Sequence, residues 1–311
     1  MRIAVVGAGG IGGYFGGRLA VAGHDVGFLA RGAHLAAMRE HGLSVHSVAG
    51  DFLVSDVRAA DRAEALGEAD VVLLAVKTWQ LDAALSAIGP LVGPVTAIVT
   101  TQNGVDTPQR VADRFGREAV LPGTAKIFAH REAPGHVRHV GGPGLLTYGE
   151  WDDRVTPRVE RLRVALVDAG VEAIVPADIW TELWSKFLFV EPFGALGAAT
   201  DATLGVLRSR PGTRTLLGAL MGEVGDLAAA RGVRLPDDVV RRTLAFVDEQ
   251  PPTGRSSLQR DIMAGRPSEL DAWTGAVVRL AAGAGVPTPV HDMLYELLAA
   301  RVAQAGDENG H

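Results

Sequence analysis

The stretch WTELWSKFLFVEPFGALG, residues 180–197, places a single lysine, Lys186, among aromatic and aliphatic residues. Only three of the chain's 30 Lys and Arg residues are lysines, so this sequence uses arginine where a cation serves only solubility. An ammonium group can stabilise a developing alkoxide and also surrender a proton, whereas a guanidinium holds its proton too tightly. The composition therefore marks Lys186 as a candidate for acid–base chemistry. The alternative is a lysine that merely carries its ammonium group from a helix to solvent.

A glycine motif near the N-terminus indicates a second kind of chemistry. The segment VVGAGGIGG follows a strand-like run, opens a helical pattern and has G-x-G-x-x-G spacing at Gly7, Gly9 and Gly12. The first glycine makes a tight turn, the second admits a pyrophosphate close to the backbone, and the third lets the helix pack on the strand. The helix N-terminus adds N–H groups and positive dipole for phosphates. The motif predicts a dinucleotide site that also includes Gly10 and Ile11, against the alternative of a turn that binds nothing.

The residue after the second predicted strand bears on the type of dinucleotide. An NAD-binding domain usually carries an acid here, which holds the ribose 2′-hydroxyl. In this chain the strand ends FLARG, and the cationic Arg31 suits a 2′-phosphate. We therefore predict NADP(H) as the cofactor, the alternative being that Arg31 is an ordinary exposed arginine.

Two more polar residues follow predicted core strands. AVKTWQ places Lys77 at the end of one strand, and VTTQNGVD places Asn103 at the end of the next. Ligands of open α/β sheets bind at this carboxyl edge. An Asn-Gly pair is often only a turn signal, but the chain has just two asparagines. We predict that Asn103 faces the nicotinamide ribose or the substrate.

The pattern of apolar residues changes along the chain. RIAVVG, DVGFLA, DVVLLAV and VTAIVTT are continuous apolar runs typical of buried parallel strands, and helical spacing lies between them. Residues 42–57 are predicted to form β-structure rather than a helix, and residues 119–149 are predicted to form hairpins. After Pro176 only helical patterns follow, at 180–200, 213–231, 237–247, 257–264, 269–284 and 290–304. The predicted fold is an α/β Rossmann-type doubly wound NADP-binding domain, 1–176, followed by an all-helical domain, 177–311.

Composition excludes several classes of function. The formal charge is −6 and no basic run appears, which argues against a nucleic-acid partner. The absence of cysteine excludes disulfides and thiol catalysis, and it suits a cytoplasmic location. The longest apolar run, ADVVLLAV, is too short for a membrane span.

His130, His136 and His139 lack an evident fourth ligand, so no metal is predicted. The apolar segment TLLGALMGEVGDLAAARG could be buried internally or against a second copy, which leaves a homodimer open.

Together, the glycine loop, VKTWQ, QNG, ELWSK and SSLQRDI…GRPSELDAWTGAVV…AGVPTPVHDMLYELL resemble the ketopantoate reductase (2-dehydropantoate 2-reductase) family over nearly the whole chain. The resemblance implies NADPH-dependent reduction of a 2-oxo acid, 2-dehydropantoate, to the 2-hydroxy acid pantoate in pantothenate biosynthesis. It implies that Lys186 protonates the carbonyl oxygen and that Glu269 is its acidic partner. It also implies substrate contacts from Ser257 and Asn103, and cofactor contacts from Arg31, Lys77, Asn103 and Glu269. Pro267 and Ser268 are expected to begin a helix, with Ser268 as its N-cap.

The sequence departs from the family pattern at two positions. Members with this activity typically carry asparagines four and eight residues after the lysine, where this chain has Val190 and Gly194. A pocket that loses polar partners loses discrimination for a substrate hydroxyl, so a more apolar 2-oxo acid is an alternative substrate. A non-catalytic NADPH-binding protein is a second alternative. A third is an oxidising dehydrogenase of the 3-hydroxyacid or opine type, which would lack the SSLQ…SELD arrangement.

Overall fold

The computed structural model describes residues 1–308, and the last three residues of the predicted helical domain lie outside the described residues. The chain divides into two compact units, residues 1–102 with 107–179, and residues 103–106 with the chain from 180 onward. The boundary at 176 stays a sequence-based prediction. No sequence pattern indicated that the loop 103–106, directly after a core strand, would group with the helical unit.

The first unit is built on strands and five helices. The strands are β1 (Arg2–Val6), β2 (Asp25–Leu29), β3 (Leu43–Ser47), β4 (Phe52–Val54), β5 (Arg58–Ala60), β6 (Ala69–Leu74), β7 (Val92–Thr100), β8 (Val120–Leu121), β9 (Gly123–Ala133), β10 (His136–Tyr148) and β11 (Glu172–Ile174). The helices are α1 (Gly10–Val21), α2 (Gly32–His41), α3 (Leu81–Ala87), α4 (Thr107–Phe115) and α5 (Pro157–Asp168).

A six-stranded sheet with the order β5-β2-β1-β6-β7-β8 forms the centre of this unit, and all of its neighbouring strands are parallel. Successive side chains of β1 enter different cores: Ile3 and Val5 pack with α1 and α5, and Ala4 and Val6 pack on the opposite face. Burial on both faces explains the continuous apolar runs of these strands. The predicted parallel sheet is confirmed.

A second sheet has the order β11-β10-β3-β4, with β9 antiparallel to β10. Gly135 lies in the β9–β10 turn with φ +76°, a backbone conformation that favours glycine. The strands predicted within 42–57 and 119–149 are both confirmed.

Apart from the loop 103–106, the described residues of the second unit form helices and the turns that connect them. Its helices are α6 (Ile179–Thr200), α7 (Leu204–Ser209), α8 (Pro211–Ala230), α9 (Val239–Glu249), α10 (Ser257–Met263), α11 (Thr274–Ala284) and α12 (Pro289–Glu308). Trp184, Phe187 and Leu188 of α6 and Trp273 are almost fully buried in its core. No helix of the described chain is both long and apolar enough to cross a membrane.

One predicted helix boundary is wrong. The helix expected to begin at Glu269, capped by Ser268, begins at Thr274, and residues before it form turns. The Trp273 N–H bonds the Glu269 carbonyl at 3.0 Å, and the Gly275 N–H bonds the Leu270 carbonyl at 3.1 Å. Packing of the Trp273 ring in the core, with its backbone outside helical geometry, outweighs the local start signal.

Candidate functional site

The glycine loop has the backbone that its motif requires. Gly7 follows β1 with φ +96°, and a Cβ there would lie 2.9 Å from the Val76 nitrogen, so only glycine fits. A Cβ on Gly12 would overlap the Gly7 carbonyl, which shows how closely α1 approaches the strand. A Cβ on Gly9 would have no heavy atom within 4 Å, so the loop is open on that side. The loop is therefore tight where it meets the sheet and open where a pyrophosphate would approach.

The position of this loop in the sheet is that of a dinucleotide site. β1 lies between β2 and β6, the point at which strand order reverses. The first turn of α1 contains Gly10 and the half-buried Ile11. Exposed cations follow the two flanking strands: Arg31 is the N-cap residue of α2, and Lys77 follows β6 with its ammonium group 5.4 Å from the Trp79 ring centroid. These residues suit a dinucleotide carrying a 2′-phosphate.

Gln102 closes the carboxyl end of the sheet. Its amide nitrogen donates to the carbonyls of Leu74 at 2.8 Å and Val76 at 2.9 Å, and its oxygen accepts from the Thr101 N–H at 3.1 Å. The buried side chain thus joins the ends of β6 and β7 and has a structural role.

Lys186 and Asn103 are brought together within the helical unit. The Lys186 ammonium donates to the Asn103 Oδ1 at 2.6 Å, although 83 residues separate them in sequence. Buried neighbours on α6 hold the lysine backbone in place, and its side chain remains half-buried. Val105, two residues after Asn103, packs in the same core and anchors the loop. Asn103 therefore orients the ammonium group.

The other predicted site residues of the helical unit occupy the segment 256–273. Ser257 opens α10, whose N-cap Ser256 accepts the Gln259 N–H at 2.9 Å, and it is half-buried. Glu269 lies in the turns before α11 and is 5% exposed. A carboxylate at this depth needs a partner that compensates its charge. The predicted roles of Ser257 and Glu269 in catalysis stay predictions.

Two turns of α6 carry the departures from the family pattern. Val190 is half-buried against the helical core. A Cβ on Gly194 would lie 3.0 Å from Trp273 Cζ3 and 3.3 Å from Leu258 Cδ2. The indole ring thus occupies the space that a side chain at 194 would need, and sequence reasoning missed Trp273 because nothing local marks it.

A buried charged cluster was also missed. His291 of α12 lies between Glu191 of α6, 2.7 Å from its Nε2, and Glu223 of α8, 2.6 Å from its Nδ1. Thr274 donates to the second oxygen of Glu191 at 2.8 Å. Burial lowers the pKa of His291, but the charge of Glu191 and the hydrogen bonds to both carboxylates outweigh it and raise that pKa to about 9. The ring is therefore a cation that joins three helices. The one feature of the sequence that could have indicated this cluster is Glu191, an acid next to Pro192 inside the apolar helix α6.

Two of the three histidines considered for metal, His136 and His139, have other contacts. His139 is buried, with Nδ1 2.8 Å from the Ser47 hydroxyl and Nε2 2.9 Å from the Gly141 carbonyl, and His136 stacks on His46. Within residues 1–308, no group of three His, Asp or Glu side chains could hold a metal ion.

A glycine loop at the switch point of a parallel sheet, with a helical unit that presents a lysine–amide pair, defines a Rossmann-type dinucleotide-dependent oxidoreductase. Residues 3–153 match the family model described as Ketopantoate reductase PanE/ApbA, and residues 178–302 match that of its C-terminal domain. The chain belongs to the ketopantoate reductase family.

Individual relatives are similar to this chain over nearly its whole length. A 2-dehydropantoate 2-reductase of Mesorhizobium japonicum is 35% identical, over 98% of this chain and 99% of its own. The crystal structure of 2-dehydropantoate 2-reductase from Geobacter metallireducens superposes with a TM-score of 0.89 at 33% identity, over 96% of this chain and 99% of that one. D-mandelate dehydrogenase with NADH and anilino(oxo)acetate gives a TM-score of 0.88 over 98% of this chain and 100% of that one, but at 23% identity it shows the fold alone.

Proposed function

We propose that this protein reduces 2-dehydropantoate to pantoate with NADPH. Relatives named 2-dehydropantoate 2-reductase support the choice of substrate. The observation that carries the proposal is the 2.6 Å hydrogen bond between Lys186 and Asn103, which directs an ammonium group within a largely apolar surrounding. Family membership adds the reaction type. The residues expected to hold the cofactor are the glycine loop, Arg31 and Lys77.

NADPH held by the glycine loop, Arg31 and Lys77 would supply a hydride. As the carbonyl carbon of the substrate receives it, the C=O π electrons move to oxygen and an alkoxide forms. The Lys186 ammonium stabilises that charge and transfers its proton to the oxygen, which gives the 2-hydroxy acid. Asn103 accepts one lysine N–H and so directs the other two. Solvent then reprotonates the amine.

Glu269 and Ser257 complete the proposed site. We assign two roles to Glu269: its negative charge favours the protonated form of Lys186, and its carboxylate accepts a hydrogen bond from the substrate hydroxyl. To Ser257 we assign a hydrogen bond to the substrate. Val190 and Gly194 would line the substrate pocket without polar groups. Because neither residue has a polar side chain, the hydroxyl of 2-dehydropantoate must find its hydrogen-bond partner on another residue. No finding favours the more apolar substrate over 2-dehydropantoate.

The test follows NADPH absorbance with 2-dehydropantoate beside a panel of 2-oxo acids. Lys186→Met should lower kcat by about 10³-fold while NADPH binding persists. Lys186→Arg keeps the charge without a transferable proton and should recover little activity. Preference for an apolar 2-oxo acid would overturn the substrate assignment. Tight NADPH binding without turnover of any acid would instead support the non-catalytic alternative.

The proposal extends to location and assembly. A cytoplasmic protein is proposed from its cysteine-free composition, and cell fractionation tests it. A homodimer stays a prediction, tested by light scattering. The apolar face of α8, the segment considered for a dimer contact, is buried inside this chain through Leu217, Leu220 and Val224.

A further inference from the structure

His34 is a buried histidine in contact with the glycine loop, and neither the motif nor the proposed mechanism uses it. It lies on α2 and is 5% exposed. Its Nε2 is 2.7 Å from the Ala8 carbonyl, inside the loop, and its Nδ1 accepts the Gly135 N–H at 2.9 Å. One imidazole therefore joins α2, the glycine loop and the β9–β10 turn.

The partners fix the state of the ring. A backbone N–H can only donate, so Nδ1 must be the unprotonated nitrogen, and Nε2 carries the hydrogen that bonds Ala8. Burial, with a smaller effect of the Arg131 charge, lowers the pKa of His34, although the bond to Ala8 opposes this. The imidazole is thus neutral, and both nitrogens are used.

The bond to Ala8 sets the direction of a loop amide. All described peptide bonds are trans, so the C=O and the N–H of the Ala8–Gly9 peptide point in opposite directions. Holding the Ala8 carbonyl on His34 therefore aims the Gly9 N–H away from the imidazole. Gly9 is also the residue whose Cβ direction is open. Amides at such a helix N-terminus bind phosphate.

The same histidine holds the turn that carries Arg31. Arg31 is the N-cap residue of α2, and its carbonyl accepts the Leu35 N–H at 3.4 Å, so His34 lies in the first turn after it. On the other side, a Cβ on Gly135 would lie 3.2 Å from the Ala37 Cβ, which shows that the hairpin turn packs directly on α2. Movement of His34 would move the Arg31 turn relative to the loop.

We propose that His34 is a positioning residue for the cofactor, which keeps the Gly9 amide and the Arg31 guanidinium in register for the pyrophosphate and the 2′-phosphate of one dinucleotide. This inference rests on the proposed binding of NADPH. The inference concerns cofactor binding only and does not depend on which substrate the protein reduces.

The experiment measures dissociation constants of NADPH and NADH by fluorescence. His34→Leu removes both hydrogen bonds and should raise the Kd of NADPH by about 10-fold or more. The Kd for NADH divided by the Kd for NADPH should fall in this variant, because a displaced Arg31 would no longer bind the 2′-phosphate of NADPH. His34→Gln offers one donor and one acceptor and should recover most of the affinity.

The matched control is His139→Leu. His139 is also a buried, doubly bonded imidazole of the first unit, but its hydrogen bonds join neither the glycine loop nor α2. This variant should lose stability and keep the NADPH constant. If His34→Leu does not fold, His34→Asn, an amide too short to reach both partners, takes its place.

Two results would overturn the inference. Wild-type NADPH affinity in the leucine or asparagine variant would do so, as would equal losses in the His34 and His139 variants. An unchanged ratio of the two cofactor constants would refute the link to Arg31. A wild-type protein that binds no NADPH would overturn the proposed function itself.

Discussion

Replacing His291 with glutamine would remove the only cation from the buried cluster of Glu191, His291 and Glu223 described above. The imidazole and Glu191 have fully buried side chains, and Glu223 is nearly so. Glutamine can bond one carboxylate but cannot neutralise either. The substitution therefore leaves buried negative charge without compensation.

The raised pKa gives the magnitude. A shift from 6.5 to about 9 corresponds to about 3 kcal/mol of differential interaction with the charged ring. Because the pKa is higher in the folded state, this stabilisation is fully present below pH 6.5 and is lost as pH rises through about 9. Removal of one partner from a buried ion pair costs roughly 3–5 kcal/mol, which corresponds to a melting temperature lower by about 10 °C.

Thermal unfolding of wild type and His291→Gln at pH 6.5 measures the cost. Asp248→Asn is the control, because it breaks the exposed pair of Arg214 and Asp248, which joins α8 to α9 at 2.6 and 2.7 Å, and it should change little. Histidine ring signals in NMR, assigned by their loss in His291→Gln, give the pKa directly.

Two outcomes would refute this reasoning. One is a His291→Gln variant no less stable than Asp248→Asn. The other is a wild-type His291 ring that titrates at or below pH 6.5, since the carboxylates would then not hold it charged.

Two further predictions concern the substrate pocket and the cofactor. Gly194→Asn should cost about 1–3 kcal/mol of stability without raising kcat/KM for 2-dehydropantoate, because Trp273 and Leu258 crowd the position. Melting temperature and steady-state kinetics check this. A variant that is as stable as wild type and faster would contradict it. Arg31→Glu should lower kcat/KM with NADPH by about 10-fold or more while sparing NADH, and an unchanged preference would show that Arg31 does not bind the 2′-phosphate.

The sequence predicted most of the elements that position the site. The glycine loop, the apolar strands and the β9–β10 hairpin follow from local patterns, because each is dictated by residues close in sequence. The start of α11 could not be predicted in this way. Ser268 and Glu269 form a convincing local start signal, and only the burial of Trp273 moved the helix to Thr274.

Among the site residues, composition alone distinguished Lys186, since lysine is rare in this chain. The roles of Glu269 and Ser257 came from family resemblance, because an acid or a serine near a helix start has an ordinary structural meaning. Trp273 gave no signal, since its effect depends on a glycine 79 positions earlier, which is visible only when α6 and the turns before α11 pack together.

By itself, the sequence determined the dinucleotide loop, the order of strands and helices, and the chemistry available at Lys186, because these depend on residue type and short-range periodicity. The tertiary structure alone decided that Asn103 directs the lysine, that His34 holds the Ala8 carbonyl, and that His291 is a buried cation. Each of these joins residues 26 to 100 positions apart. Hydrogen bonds and pKa values depend on distances of a few ångströms in space, which only packing of the folded chain sets.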